Sequence, residues 1–122
     1  MTQTLIATCH CGAIELHLDL PEGLPAPHRC DCSFCARRAA PNVSVPLPAL
    51  RVVKGADSLT CYQWGTGTAK HCFCKTCGIY THHQRRSNPQ EFGVNLGCIE
   101  GMNPADFEPI PWLDGVNHPS DR

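Results

Sequence analysis

The clearest regularity in the chain is the strict alternation of apolar and polar residues over positions 13–20, AIELHLDL. The apolar side chains of this segment fall on one face and are those of Ile14, Leu16, Leu18 and Leu20. Successive side chains of a strand point to opposite sides, so this pattern predicts a half-buried β-strand. Gly12 allows a tight turn into it from an earlier strand predicted over 4–11.

Shorter apolar and β-branched runs, separated by Gly, Pro and Asp, predict further strands. These predicted strands cover 43–46, 51–54, 58–64, 68–73, 79–84 and 91–99. The two segments on either side of Gly65-Thr66-Gly67 are typical of a hairpin. Prolines interrupt the region 42–54, which favours edge strands there. Only 33–39 predicts a short helix, and the chain from Met102 onward predicts an irregular strap, so the pattern indicates an all-β fold.

Length and composition fit one small, loop-rich domain spanning 1–122. Charged residues make up 17% of the chain, and the formal net charge of −1 argues against nucleic-acid binding, which needs a basic surplus. Residues 1–8 lack the basic and apolar regions of a signal peptide. No apolar run is long enough to cross a membrane. We therefore expect a cytoplasmic protein without a membrane or nucleic-acid partner.

Ten cysteines in 122 residues indicate either metal sites or disulfides. A cytoplasmic chain keeps its thiols reduced, which favours metal ligation. Cys9 and Cys11 form a C-x-C pair followed by glycine, and Cys74 and Cys77 form a C-x-x-C pair followed by glycine. Two such pairs from distant parts of a chain make one four-thiolate structural zinc site.

A second cluster, Cys30-x-Cys32-x-x-Cys35, places three thiols within six residues. The sequence leaves several alternatives for the fourth ligand of this cluster. His28 and Asp31 are close enough in sequence to complete a tetrahedron, and one of the remaining cysteines would make the site structural. With none of these, the position stays free for a substrate, as it does in catalytic zinc sites.

The remaining cysteines are Cys61, Cys72 and Cys98. We expect Cys61 and Cys72 to be free thiols that behave as small hydrophobic residues inside strands. Cys98 is either a reactive thiol or a buried, inert one. The second interpretation is favoured because its neighbours are not electropositive.

Taken in order, the segments CHCGAIEL, CDCSFCARR, FCKTCG and FGVNLGCIEG resemble the glutathione-dependent formaldehyde-activating enzyme family over about residues 5–110. The resemblance implies coiled antiparallel β-sheets built around zinc knuckles, similar to methionine sulfoxide reductase B. It also implies two zinc ions per chain. The implied structural ligands are Cys9, Cys11, Cys74 and Cys77. The implied catalytic ligands and reactive residues are Cys30, Cys32 and Cys35.

The leading hypothesis is a zinc-dependent carbon–sulfur lyase acting on a small thiol–aldehyde adduct of the S-hydroxymethylglutathione type, with glutathione as co-substrate. Arg37 and Arg38 follow the triple directly and are candidates to bind carboxylates of the co-substrate. We expect Arg85 and Arg86 to be solvated. The alternatives are a non-catalytic zinc module that binds a protein, and a thiol oxidoreductase that uses Cys98.

Overall fold

A computed structural model describes residues 3–118 and shows an all-β molecule with one short helix. The strands are β1 (Gln3–Thr8), β2 (Glu15–Leu20), β3 (Arg29–Cys30), β4 (Asn42–Pro46), β5 (Leu50–Lys54), β6 (Leu59–Tyr62), β7 (Lys70–Cys74), β8 (Tyr80–Gln84), β9 (Glu91–Asn95) and β10 (Trp112–Leu113). The helix is α1 (Cys35–Arg38). Single 3₁₀ turns cover Leu47–Ala49, Ala56–Ser58, Leu96–Cys98 and Pro104–Phe107.

Two antiparallel sheets make up the body of the molecule. One has the strand order β1-β2-β5, and the other has the order β4-β9-β8-β7-β6. The proline-flanked strands β4 and β5 lie at sheet edges, which confirms the prediction made from their prolines. The predicted hairpin is also confirmed, since β6 pairs with β7.

Alternation in β2 is confirmed, because its odd-numbered residues are half-buried and its even-numbered ones are buried. Its apolar side chains enter a core that also takes residues from β4 and β9. The largest fully buried aliphatic side chains of this core are those of Ile14, Leu16, Leu18, Val43, Val45, Val94, Leu96 and Ile99. Cys9 and Cys74 belong to the same cluster, so one cysteine group sits against the core.

Three predicted strands end earlier than expected, and at two of them local hydrogen bonds turn the chain. The first stops at Thr8, after which the N–H of Gly12 donates to the carbonyl of Cys9 at 3.2 Å. The last stops at Asn95, whose side-chain oxygen accepts the N–H of Gly97 at 3.1 Å and begins a 3₁₀ turn.

The C-terminal strap contains a strand that the sequence pattern did not predict. β10 pairs in parallel with β3, with Trp112 opposite Arg29 and Leu113 opposite Cys30. The N–H of Asp31 donates to the carbonyl of Leu113 at 3.1 Å, which extends the pairing. The C-terminal strap therefore lies beside the segment that carries the cysteine triple.

Cys61 and Cys72 form a disulfide, so the expectation that both are free thiols is wrong. They lie directly opposite each other in the β6–β7 hairpin, with their Cα atoms 4.1 Å apart. Directly opposed positions on antiparallel strands bring side chains together, which is the reason that this pair bonds. The other eight cysteines are free, and seven of them form two clusters that could hold metal, which still fits the general preference for metal over disulfides.

Within residues 3–118, no helix is long and apolar enough to cross a membrane.

Candidate metal centres and the adjoining cavity

The four cysteines of the two outer pairs converge, as their spacing predicted. The sulfurs of Cys9, Cys11, Cys74 and Cys77 all lie within 4.8 Å of one another. The Sγ of Cys11 lies 3.7 Å from that of Cys9 and 3.7 Å from that of Cys74. A tetrahedral zinc with Zn–S bonds of about 2.3 Å separates its sulfurs by about 3.8 Å, so this arrangement fits the ion.

Backbone N–H groups point at these sulfurs and favour their thiolate form. The N–H of Ile14 donates to Cys9 Sγ at 3.3 Å, and that of Thr76 donates to Cys74 Sγ at 3.4 Å. Backbone hydrogen bonds also lower the pKa of the Cys77 thiol to about 6. Thiolates are the form that binds metal, so the surrounding backbone suits a zinc knuckle.

The middle triple forms a second, separate cluster. Cys30 ends β3, Cys35 begins α1, and their sulfurs and that of Cys32 lie within 4.8 Å of one another. The N–H of Cys35 donates to Cys32 Sγ at 3.2 Å. Hydrogen bonds from the Cys30 and Cys35 thiols lower the pKa of Cys32. Three clustered soft sulfur donors suit a zinc ion.

No fourth histidine, cysteine, aspartate or glutamate of the described chain joins this triple. The Asp31 carboxylate is engaged elsewhere, because its Oδ1 accepts the N–H groups of Gly115 at 2.7 Å and Val116 at 3.2 Å. It thereby ties the C-terminal strap to the cluster. His28 lines the neighbouring cavity without joining the sulfurs. The geometry is that of a three-ligand site.

A cavity of about 210 Å³ opens beside the triple, and all three of its cysteines line the wall. Other ionisable residues on the wall are His28, His71, His83, Arg85, Arg86, Asp114 and His118. The expectation that Arg85 and Arg86 are solvated is wrong, because both are half-buried at this wall. The cysteine cluster therefore faces a cavity that is also lined by arginines and imidazoles, which makes this cavity the candidate site for a small molecule.

Arg38 lies behind the triple, between two aromatic rings. Its guanidinium carbon is 3.6 Å from the centroid of the Tyr80 ring and 4.8 Å from that of Phe34. Its Nη2 lies 3.5 Å from Cys35 Sγ, and its Nη1 lies 3.3 Å from the Nδ1 of His71. Arg37 points away, is exposed, and donates to the backbone carbonyl of Ser33. The cavity wall includes neither arginine.

The contact with Arg38 fixes the tautomer of His71. A guanidinium only donates hydrogen bonds, so Nδ1 of His71 must accept, and the ring proton resides on Nε2. Burial, followed by the charge of Arg38, lowers the pKa of His71 to about 4. The wall therefore presents a neutral imidazole that can donate a hydrogen bond from Nε2.

A second polar network supports the next part of the wall. The Tyr80 hydroxyl donates to Asn42 Oδ1 at 2.6 Å and lies 2.5 Å from Nδ1 of His83. Burial lowers the pKa of His83 well below its ordinary value and raises that of Tyr80. Gly93 makes room for this imidazole, since a Cβ there would lie 2.4 Å from Cε1 of His83.

Cys98 lies outside both clusters. It is buried, and its thiol donates to the backbone carbonyl of Tyr80 at 3.4 Å. Burial raises its pKa to about 12. A reactive cysteine needs an exposed, low-pKa thiol, so the environment of Cys98 agrees with the inert interpretation and gives no support to a thiol oxidoreductase.

Sequence reasoning placed the cysteines but missed most of the wall around them. His71 and His83 lie on β7 and β8, and Trp64 follows β6, so the pairing of these three strands brings the residues together at the wall. Tyr80, also on β8, supports His83 from outside the cavity. The one available signal was the concentration of histidines on either side of the Cys74–Cys77 pair, at positions 71, 82 and 83.

Comparison with known proteins identifies a family and a solved structure that resemble this chain. The model of the family described as "Glutathione-dependent formaldehyde-activating enzyme" matches residues 4–111. The chain is also similar to a Rhodobacter sphaeroides protein of known crystal structure, with 58% sequence identity and a TM-score of 0.84. That similarity covers 88% of this chain and 99% of the other.

Proposed function

The chain belongs to the glutathione-dependent formaldehyde-activating enzyme family, and we propose that it is a carbon–sulfur lyase that reversibly joins a thiol to formaldehyde. The observation that supports this most strongly is the cysteine triple. Its three sulfurs lie within 4.8 Å of one another, without a fourth ligand among residues 3–118, and they face a cavity. A purely structural zinc site closes with four protein ligands.

The two cysteine groups have different roles in this proposal. Cys9, Cys11, Cys74 and Cys77 hold a structural zinc that ties the first hairpin to β7. Cys30, Cys32 and Cys35 hold a second zinc, which when bound supplies Lewis acidity and favours the thiolate form of an incoming thiol. Glutathione is the proposed co-substrate, and its adduct is S-hydroxymethylglutathione.

The reaction needs no oxidant or reductant. The thiol sulfur attacks the carbonyl carbon, a C–S bond forms, and the electron pair of the C=O π bond moves to oxygen. That oxygen takes up the proton that the thiol gave up, and the reverse reaction returns it. His71, neutral and protonated on Nε2, is placed on the wall to donate a hydrogen bond to this oxygen.

Arg38 is a positioning residue in this scheme. It contacts both Cys35 Sγ and His71 Nδ1, so its charge stabilises the thiolates while it holds the imidazole in one tautomer. The prediction that Arg37 and Arg38 bind carboxylates of the co-substrate remains untested. Arg37 is exposed, and it would meet only a part of the ligand that extends beyond the cavity.

Exchange NMR tests the proposal. Zinc-loaded protein is mixed with formaldehyde and a panel of thiols that includes glutathione, and the rate of exchange between thiol and hydroxymethyl adduct is measured. The expected result is exchange faster than the spontaneous rate for at least one thiol, and no acceleration with Cys30→Ser. Failure to accelerate exchange with any thiol would contradict the lyase proposal.

One observation favours the alternative of a non-catalytic zinc module that binds a protein. An apolar cleft of about 730 Å³ lies on the other side of Arg38, lined in part by Phe34, Tyr62 and Ile79. Tyr62 and Ile79 are exposed, as protein contact sites require. This alternative gives no role to the open cysteine triple, so absence of exchange with fully zinc-loaded protein would favour it.

A further inference from the structure

Two hydrogen-bond donors on the cavity wall have no partner within residues 3–118. The buried Nη1 of Arg86 and the buried Nε1 of Trp64 make no hydrogen bond within the described part of the chain. Both residues line the cavity that holds the cysteine triple. A buried donor without a partner is costly, and two donors beside one cavity call for an acceptor that the protein does not supply.

Arg86 differs in this respect from its neighbour Arg85. Arg85 forms an ion pair with Glu91 and donates to Ser87 at 3.1 Å, so its charge is already compensated. Arg86 takes part in none of the ion pairs formed within residues 3–118. Its guanidinium carbon lies 5.5 Å from the centroid of the Trp64 ring, so the guanidinium group and the indole are neighbours on the wall.

The other ionisable groups on this wall do not pair with Arg86 and do not prevent an anion from binding there. Burial lowers the pKa values of His71 and His83, so both imidazoles are neutral at pH 7 and neither forms an ion pair with a bound anion. Among residues 3–118, Asp114 contributes the one carboxylate on the wall, and it accepts hydrogen bonds from the backbone N–H of Asn117 at 3.1 Å and from the side-chain amide of Asn117 at 2.8 Å.

We propose that Arg86 and the indole N–H of Trp64 form the subsite that binds a carboxylate of the thiol substrate. The identity of the ligand as a thiol adduct rests on the proposed function. The binding of its carboxylate rests on the two unpaired donors alone. A guanidinium offers a carboxylate two parallel hydrogen bonds. The cavity, at about 210 Å³, is smaller than the roughly 300–1,000 Å³ of pockets that enclose whole ligands. The cavity therefore holds only the sulfur end and one carboxylate of the substrate. The rest of a longer thiol extends outside the cavity.

Calorimetry with two matched thiols tests the subsite. Zinc-loaded protein is titrated with 3-mercaptopropionate and with 3-mercaptopropionamide, which share the thiol and differ in charge. The acid is expected to bind at least about tenfold more tightly than the amide, because a hydrogen bond to a charged group contributes about this much. Equal affinities for acid and amide in the unaltered protein would overturn the proposal, and this comparison depends on no variant.

Three variants assign the effect to residues. In Arg86→Gln the affinities for the acid and the amide should become nearly equal. Trp64→Phe keeps an aromatic ring but removes the N–H, so it should reduce the preference for the acid. Arg51→Gln is the matched control, because Arg51 is an exposed arginine that pairs with Asp19 on the other sheet, and it should keep the full preference. A full preference in Arg86→Gln would overturn the assignment.

The same reagents separate this proposal from the lyase proposal. If the acid binds preferentially but neither thiol exchanges with formaldehyde, the subsite stands and the lyase proposal fails. If both adducts turn over with equal kcat/KM and the protein binds the acid and the amide equally well, the lyase proposal stands and the subsite fails.

Discussion

The backbone of Gly115 lies directly against the Sγ of Cys30: a Cβ atom at Gly115 would come within 2.5 Å of that sulfur. It would also lie 2.7 Å from the Cβ of Cys32. Asp31 holds Gly115 in place through its carboxylate. The strap that contains β10 therefore covers the cysteine triple closely, and the shape of this candidate metal centre depends on residues more than 80 positions away.

Gly115→Ala should disturb the triple without unfolding the protein. The added methyl group has to displace either the strap or Cys30, so the second zinc should be lost and zinc content should fall from about two toward one per chain. Gly97→Ala is the control, because its nearest contact would be 3.5 Å away. Metal analysis of both variants measures the effect, and full zinc content in Gly115→Ala would show that the strap does not hold the site.

Thiol counting tests the disulfide between Cys61 and Cys72. Protein purified without reductant, unfolded and stripped of metal, should react with iodoacetamide at eight cysteines. After reduction, all ten should react. Mass spectrometry distinguishes the two numbers. Ten labelled cysteines before reduction would show that the hairpin pair is not bonded.

Arg38→Lys should impair turnover more than substrate binding. Lysine keeps the charge but cannot stack between Tyr80 and Phe34 while contacting both Cys35 and His71. Loss of such a supporting contact reduces metal affinity or activity by about 10–100-fold. We expect kcat to fall by this factor and KM to change little, with Arg51→Lys unaffected. A change confined to KM would indicate instead that Arg38 binds the substrate.

Acid should destabilise the fold through its buried histidines. Burial lowers the pKa of His82 to about 4 from an ordinary value of 6.5. Between these values the unfolded chain binds a proton that the folded chain does not, so the free energy of unfolding falls as the pH falls through this window. His82 alone contributes about 3 kcal/mol to this loss.

His82→Phe removes the titrating group and keeps a ring that can pack beside Phe92. Urea unfolding at pH 7 and at pH 4.5 measures both proteins. The unaltered protein should lose more stability between the two pH values than the variant does. Identical losses would show that His82 titrates normally in the fold.

The parts of the fold and site that could be predicted from sequence are those with a regular or local signal. The alternation over 13–20 identified β2 because it repeats at the two-residue period of a strand. The C-x-x-C spacing of Cys74 and Cys77 identified half of a candidate metal site because two thiols three positions apart can bind one ion. The three sulfurs from Cys30 to Cys35 meet because they are close in the chain.

The unpredicted parts depend on strand register and long-range packing. Cys61 and Cys72 bond because they are opposed in a hairpin, and a shift of one residue would have separated them. The parallel pairing of β3 with β10 involves only two residues on each strand, too few for a periodic signal. Arg86 reaches the cavity through the same sheet geometry, which composition alone cannot reveal.

The division of the cysteines into a structural and a reactive group is the central claim, and it predicts opposite effects for two substitutions. Cys77→Ser breaks a site that joins residues 9–11 to residues 74–77. Structural zinc contributes on the order of 10 kcal/mol to the folding of small modules, so this variant should be molten or insoluble. Cys35→Ser breaks only a local cluster and should leave the fold intact.

Zinc content of purified Cys35→Ser, determined together with its melting temperature, tests this claim most directly. We predict about one zinc per chain, a melting temperature close to that of the unaltered protein, and no acceleration of thiol–formaldehyde exchange. An unfolded Cys35→Ser beside a native-like Cys77→Ser would contradict the division of the cysteines into these two groups.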